Sequence, residues 1–201
     1  MATITIFGDS ITYGAVDPEG GGWATRLRNY FESVGARVDK DVDVYNLGIS
    51  GDNTDDLLFR FKTEMIARKP DIIIFAIGIN DSQFVVSKNQ SRIPIEKFKE
   101  NLVRLAGQAR EITNKIVFVG LTVVDESKTS PIPWNLDKRY TNKDIERYDI
   151  ALQEFTQKEN LAYIDTRGVL GMGDLSDGLH PNTSGHKKMF EYLKGKIEVL
   201  V

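Results

Sequence analysis

The chain has 201 residues, 41% of them hydrophobic and 27% charged, proportions that describe an ordinary globular protein and exclude a disordered, fibrous or membrane-spanning one. Its net charge of −3 leaves no basic excess to neutralise phosphates, so no nucleic acid, no anionic membrane surface and no stable membrane insertion is expected. The absence of cysteine removes disulfides, thiolate metal sites and a cysteine nucleophile.

The first residues lack the basic start and long apolar run of a secretory signal, which predicts a cytoplasmic protein. The length suits one domain spanning 1–201, and composition fixes no oligomeric state. Runs rich in β-branched residues predict strands at 3–7, 42–46, 72–77, 116–121 and 161–164. Helical spacing of apolar residues marks 23–34, 54–67, 95–112, 144–157 and 183–199. Strand and helix alternate throughout, which implies βαβ units and an α/β fold, a three-layer α/β/α sandwich on a mainly parallel five-stranded sheet. The 72–77 run is almost wholly apolar, as a central strand covered on both faces must be. The stretch 123–142, with Pro131 and Pro133, reads as a long loop beyond the fourth strand. Ligands of open parallel sheets bind beyond the carboxyl ends of strands. Trp134 and Tyr140 are therefore candidates for the wall of a binding crevice, the alternative for Trp134 being that it packs the loop onto the domain.

Polar punctuation falls at the predicted strand ends. Gly8-Asp9-Ser10-Ile11-Thr12 follows the first, Asn46-Leu47-Gly48-Ile49-Ser50-Gly51 the second and Gly78-Ile79-Asn80-Asp81 the third, while Asp177-Gly178-Leu179-His180-Pro181 precedes the last helix. Acyl transfer needs a hydroxyl nucleophile, an imidazole to carry its proton and a carboxylate to fix the imidazole tautomer. Of the two histidines, His180 has an acid three residues earlier, and a turn through Gly178 would let Asp177 reach its Nδ1–H and leave Nε2 for a serine. Developing oxyanion charge requires preorganised donors. Ser10 and Gly48 offer backbone N–H groups and Asn80 a side-chain amide. Gly8, Gly48 and Gly78 permit tight turns and close backbone approach.

These blocks, in this order, resemble those of the SGNH hydrolases, the GDSL-like lipase/acylhydrolase group. The resemblance runs from Thr3 to the last helix. It implies a flavodoxin-like sandwich in which Ser10 is the nucleophile, His180 the base and Asp177 its orienting carboxylate. Ser10, Gly48 and Asn80 would form the oxyanion hole. Ile11 departs from the usual leucine after the nucleophile, a change of apolar shape away from the chemistry. The expected substrate is a small-molecule acyl ester, with short acyl groups favoured. A carbohydrate O-acetyl ester, a lysophospholipid and a thioester are the alternatives within the family. No cofactor and no metal is expected.

Other readings compete. Asp9, Asp81, Trp134 and Tyr140 are assigned supporting or substrate-wall roles, with Asp9 holding its loop by hydrogen bonds. His186 is expected as an exposed first-turn residue behind an N-cap at Asn182, Thr183 or Ser184. Asp52, Asp55 and Asp56 are expected at the solvated start of the 54–67 helix, and Trp23 in the core or a pocket wall. Gly48-Ile49-Ser50-Gly51 imitates a Gly-x-Ser-x-Gly elbow without completing it. A metallophosphoesterase could use Asp52, Asp55, Asp177 and His180, but two histidines are too few for a dinuclear site. A catalytically silent binding module is the remaining class, and the chain has no Walker or Gly-x-Gly-x-x-Gly sequence to support a nucleotide.

Overall fold

A computed structural model describes residues 2–38 and 41–201. Strand β1 (Ala2–Gly8) runs into the one-turn helix α1 (Ser10–Tyr13) and then α2 (Gly22–Val38), and β2 (Val42–Gly48) leads to α3 (Thr54–Arg68). After β3 (Ile72–Ala76) come the one-turn α4 (Ile79–Ser82), the short strands β4 (Phe84–Val85) and β5 (Gln90–Ser91), and α5 (Ile95–Ala109). Next, β6 (Ile116–Val119) is followed by α6 (Glu126–Thr129), β7 (Lys138–Arg139) and α7 (Asn142–Lys158). The chain closes with β8 (Ala162–Ile164) and α8 (Thr183–Ile197).

The main sheet has the order β2-β1-β3-β6-β8 with every pairing parallel, the flavodoxin-like arrangement. Order reverses between β1 and β3, so the carboxyl ends of β1, β2 and β3 open onto one crevice. The apolar run of β3 does lie at the centre, with Ile72, Ile73, Ile74 and Phe75 all buried. Register places Phe7, Phe75 and Phe118 side by side across three strands. Phe75 stacks on Phe118 at 4.8 Å between ring centres, while Phe61 of α3 and Phe155 of α7 close the row edge-on at 4.8 Å from Phe7 and 5.6 Å from Phe118. Helices α3, α5 and α7 pack in series over this face, and α2 packs on α8. No helix among the described residues is long and apolar enough to cross a membrane.

All five predicted strands and all five predicted long helices are present, with ends shifted by a few residues. A second, three-stranded antiparallel sheet, β5-β4-β7, was not foreseen. Strands of two residues carry no periodicity to read. The same sheet corrects the reading of 123–142 as loop throughout, because that stretch contains α6 and β7. Truncating the aromatic row tests the packing: Phe75→Ala should lower stability by about 3–5 kcal/mol in urea denaturation, through lost burial and a cavity between two helices and the sheet.

Candidate active site

Ser10 opens α1 directly beyond β1. Asp9 is the N-cap, and its Oδ1 accepts the Ile11 N–H at 2.9 Å. Helix α1 stops after one turn because Gly14 takes a left-handed conformation, φ 96°. The turn lies so close to the sheet that a Cβ on Gly8 would fall 2.5 Å from the Ala76 carbonyl and 2.1 Å from Thr12 Oγ1. Ser10 is thereby held at the crevice, 6% exposed.

His180 arrives from the other end of the chain. Its Nε2 lies 2.9 Å from Ser10 Oγ and its Nδ1 2.7 Å from Asp177 Oδ2. The Asp177 Oδ1 accepts the backbone N–H groups of Leu179 and His180 at 3.0 and 2.8 Å, a tight turn that needs Gly178 at φ 91°. Burial alone would raise the Asp177 pKa. The His180 ring and the two amides outweigh it and hold the carboxyl well below the usual range. An ionised carboxylate can only accept, so Nδ1 carries the proton and Nε2 is free to accept the Ser10 hydroxyl.

Asn80, in α4, is fixed at both ends of its amide. Tyr140 donates its hydroxyl to Asn80 Oδ1 at 2.6 Å, and Asn80 Nδ2 donates to the Asp52 carbonyl at 2.9 Å. One hydrogen of Nδ2 remains. Ser10, Asn80 and His180 share a pocket of about 420 Å³ with Gly51, Trp134 and Tyr140.

The profile of the GDSL-like lipase/acylhydrolase family matches residues 6–188. The chain belongs to that family. The chain is 24% identical to an acetylxylan esterase of Geobacillus stearothermophilus over 201 residues, covering 91% of this chain and 88% of that protein. The crystal structure of a lipase/acylhydrolase from Enterococcus faecalis superposes with a TM-score of 0.78 at 26% identity, covering 99% of this chain and 96% of that one. The acetylxylan esterase crystal structure gives a TM-score of 0.75 at 20% identity, covering 98% and 94%. The protein is a carboxylic ester hydrolase.

Against this family assignment, one donor expected from sequence needs correction. The Gly48 N–H of the esterase is already taken by Asn46 Oδ1 at 3.1 Å, and Gly48 does not line the pocket. It is a packing glycine, since a Cβ there would lie 2.3 Å from the Tyr13 nitrogen. Gly51 lines the pocket instead, at φ 85°, and among the described residues its N–H meets no acceptor. The sequence signal was available in the second glycine of Gly48-Ile49-Ser50-Gly51, but spacing does not say which glycine faces the serine.

His186 is also corrected. It is fully buried, with Nε2 3.2 Å from the Ala15 carbonyl and burial pulling its pKa down, while Asn182 caps α8 as expected. Among the described residues, the acids of the Gly51-Asp52-x-x-Asp55 fragment are committed to other partners. Asp52 pairs with Arg60 at 2.8 Å and is nearly buried rather than solvated, and Asp55 receives the Asn101 amide at 2.8 Å. Trp134 is 66% exposed on the pocket rim, and Trp23 is wholly buried. Tyr140 is buried and acts on Asn80 as well as forming wall.

Asp9 and Asp81 adjoin Ser10 and Asn80 in sequence, and neither is more than 2% exposed. Asp81 accepts the Thr54 N–H at 3.1 Å and the Thr54 hydroxyl, tying α4 to α3. Burial pushes both carboxyls up to about 7. Each then binds its proton more tightly folded than unfolded, so stability is fully present below about pH 4 and is lost as pH rises through about 7. Denaturation at pH 5 and pH 8 should show Asp81→Asn losing less stability over that interval than the native chain, by on the order of 2 kcal/mol. Removing the hydroxyl that holds Asn80 should act on turnover instead: Tyr140→Phe is expected to lower kcat about tenfold with little change in KM, read from steady-state ester hydrolysis.

Proposed function

We propose that the chain is a serine hydrolase of short acyl esters working through an acyl-enzyme intermediate. The observation that carries the reading is the unbroken path from Ser10 Oγ through His180 Nε2 and Nδ1 to Asp177. In the first half-reaction His180 Nε2 takes the Ser10 proton as Oγ attacks the ester carbonyl carbon. The carbonyl oxygen becomes an anion facing the Ser10 and Gly51 N–H groups and the remaining Asn80 hydrogen. Collapse breaks the carbon–alkoxy bond, and the imidazolium returns its proton to the departing alcohol. Water then repeats the sequence on the acyl-Ser10 ester and releases the acid. Asp177 stays ionised throughout and stabilises the imidazolium. The three donors supply the charge stabilisation that a Lewis acid supplies elsewhere, and both His180 nitrogens are committed to this path.

A short acyl group is favoured because Asn80, Leu179 and Tyr140, which line the pocket with Ser10, are buried, and Asn80 and Tyr140 are held by hydrogen bonds. A sugar O-acetyl ester is the second reading. The exposed Trp134 indole with Asn135 on the same rim gives a stacking face and an amide for a sugar ring, and the chain has an acetylxylan esterase among its relatives.

Ser10→Ala is expected to cut kcat by about 10⁴-fold or more while leaving the fold intact, because triad members act as a unit. An acyl series of phenyl esters, run beside acetylated xylo-oligosaccharides, should show kcat/KM greatest for acetyl or propionyl and falling with length. A maximum at octanoyl or beyond would overturn the short-acyl reading.

A further inference from the structure

The pocket over Ser10 is lined by two cations, Arg92 and Lys138, and by no carboxylate, in a chain whose net charge is −3. The two cations are not equivalent. Arg92 is committed: one nitrogen donates to the Gly51 carbonyl at 2.8 Å and another to Asp56 at 3.0 Å, bracing the turn that presents the Gly51 N–H. Lys138 is uncommitted, and its Nζ has no acceptor or ion-pair partner among the described residues. Its sequence neighbour Asp137 is occupied by the Ser87 N–H and hydroxyl, both at 2.7 Å. The Lys138 backbone is nevertheless fixed, because β7 pairs with β4 and the Lys138 carbonyl accepts the Ile132 N–H at 2.9 Å. Among the described residues that line the pocket, Lys138 is thus a cation on a paired strand with no lining carboxylate beside it, its nearest acid in sequence being Asp137, whose carboxyl its charge helps hold down. A cation at a concave site attracts and orients an anion more than it would in open water.

We propose that the esterase selects esters whose alcohol portion carries an anionic group, and that Lys138 is the residue that reads it. The inference rests on the short-acyl reading in one respect. If the acyl group is small, most of the 420 Å³ is left for the alcohol, so the charge that meets Lys138 rides on the leaving group. The chemistry recognised is that of a sulfonate, carboxylate or phosphate on a soluble small molecule. Trp134 and Asn135 beside Lys138 offer that alcohol an aromatic face and an amide.

The test compares 4-acetoxybenzenesulfonate with its neutral near-isostere 4-acetoxybenzenesulfonamide. The ratio of their kcat/KM values should fall about tenfold or more from the native chain to Lys138→Glu, with Lys138→Met between them, and 0.5 M salt should lower the ratio in the native chain. A ratio that is the same in all three proteins overturns the proposal. Product inhibition scores Lys138 independently of acyl preference. The Ki of 4-hydroxybenzenesulfonate, measured against whichever ester is turned over best, should rise about tenfold in Lys138→Glu while that of 4-hydroxybenzenesulfonamide moves less. Equal changes in the two Ki values also overturn it. A preference for long acyl chains with a charge-dependent Ki would discard the short-acyl reading and keep the anion site.

Discussion

Helix α1 can lie against the ends of β1 and β2 only because Gly8 and Gly48 have no Cβ. In a sheet with the β2-β1-β3 order, three carboxyl ends meet at one crevice, and the room there is set by how closely the first turn approaches the strands. With that approach, the Asp9 cap and the Gly14 stop confine α1 to a single turn and leave Ser10 at its first position. Every other element of the site is arranged relative to that serine, including a histidine that lies 170 residues away in sequence.

Holding polar groups this close under a buried sheet edge has an electrostatic cost. Asp9 and Asp81 are almost without solvent, and the backbone and hydroxyl donors of Ile11 and Thr54 compensate them only in part, so both carboxyls hold their protons to well above the usual carboxylate range. Asp177 meets the opposite balance. It is also partly buried, but three hydrogen bonds converge on it, and it remains a carboxylate. The three acids occupy the same neighbourhood and differ first in how far each is buried and then in the donors each meets.

The segment between β6 and α7 couples the small antiparallel sheet to the site. Pairing of β7 with β4 fixes Lys138, and two residues on, Tyr140 reaches Asn80. Because the Asp52 carbonyl can only accept, it holds Asn80 Nδ2 toward itself and leaves Oδ1 for the Tyr140 hydroxyl, which fixes the way that amide faces. The same segment thus holds the carbonyl end of the Asn80 amide and presents Trp134 and Lys138 at the rim.

The alternation of strand and helix, the central position of β3 and the pairing of Asp177 with His180 could all be read from the sequence. They depend on local periodicity, on uninterrupted apolar runs, or on a three-residue turn through a glycine. Family resemblance added the serine and Asn80 from blocks at strand ends. What tertiary structure alone decided was which backbone groups remain unpaired. Gly48 and Gly51 sit three residues apart in one motif, and only the position of Asn46 Oδ1 removes the first and leaves the second. Local pattern reads His186 as a first-turn surface residue, whereas in the fold it is buried and its ring meets the Ala15 carbonyl, 171 residues away. Tyr140 and Lys138 likewise acquire their roles from β4 and α4, contacts across the fold that no local pattern encodes.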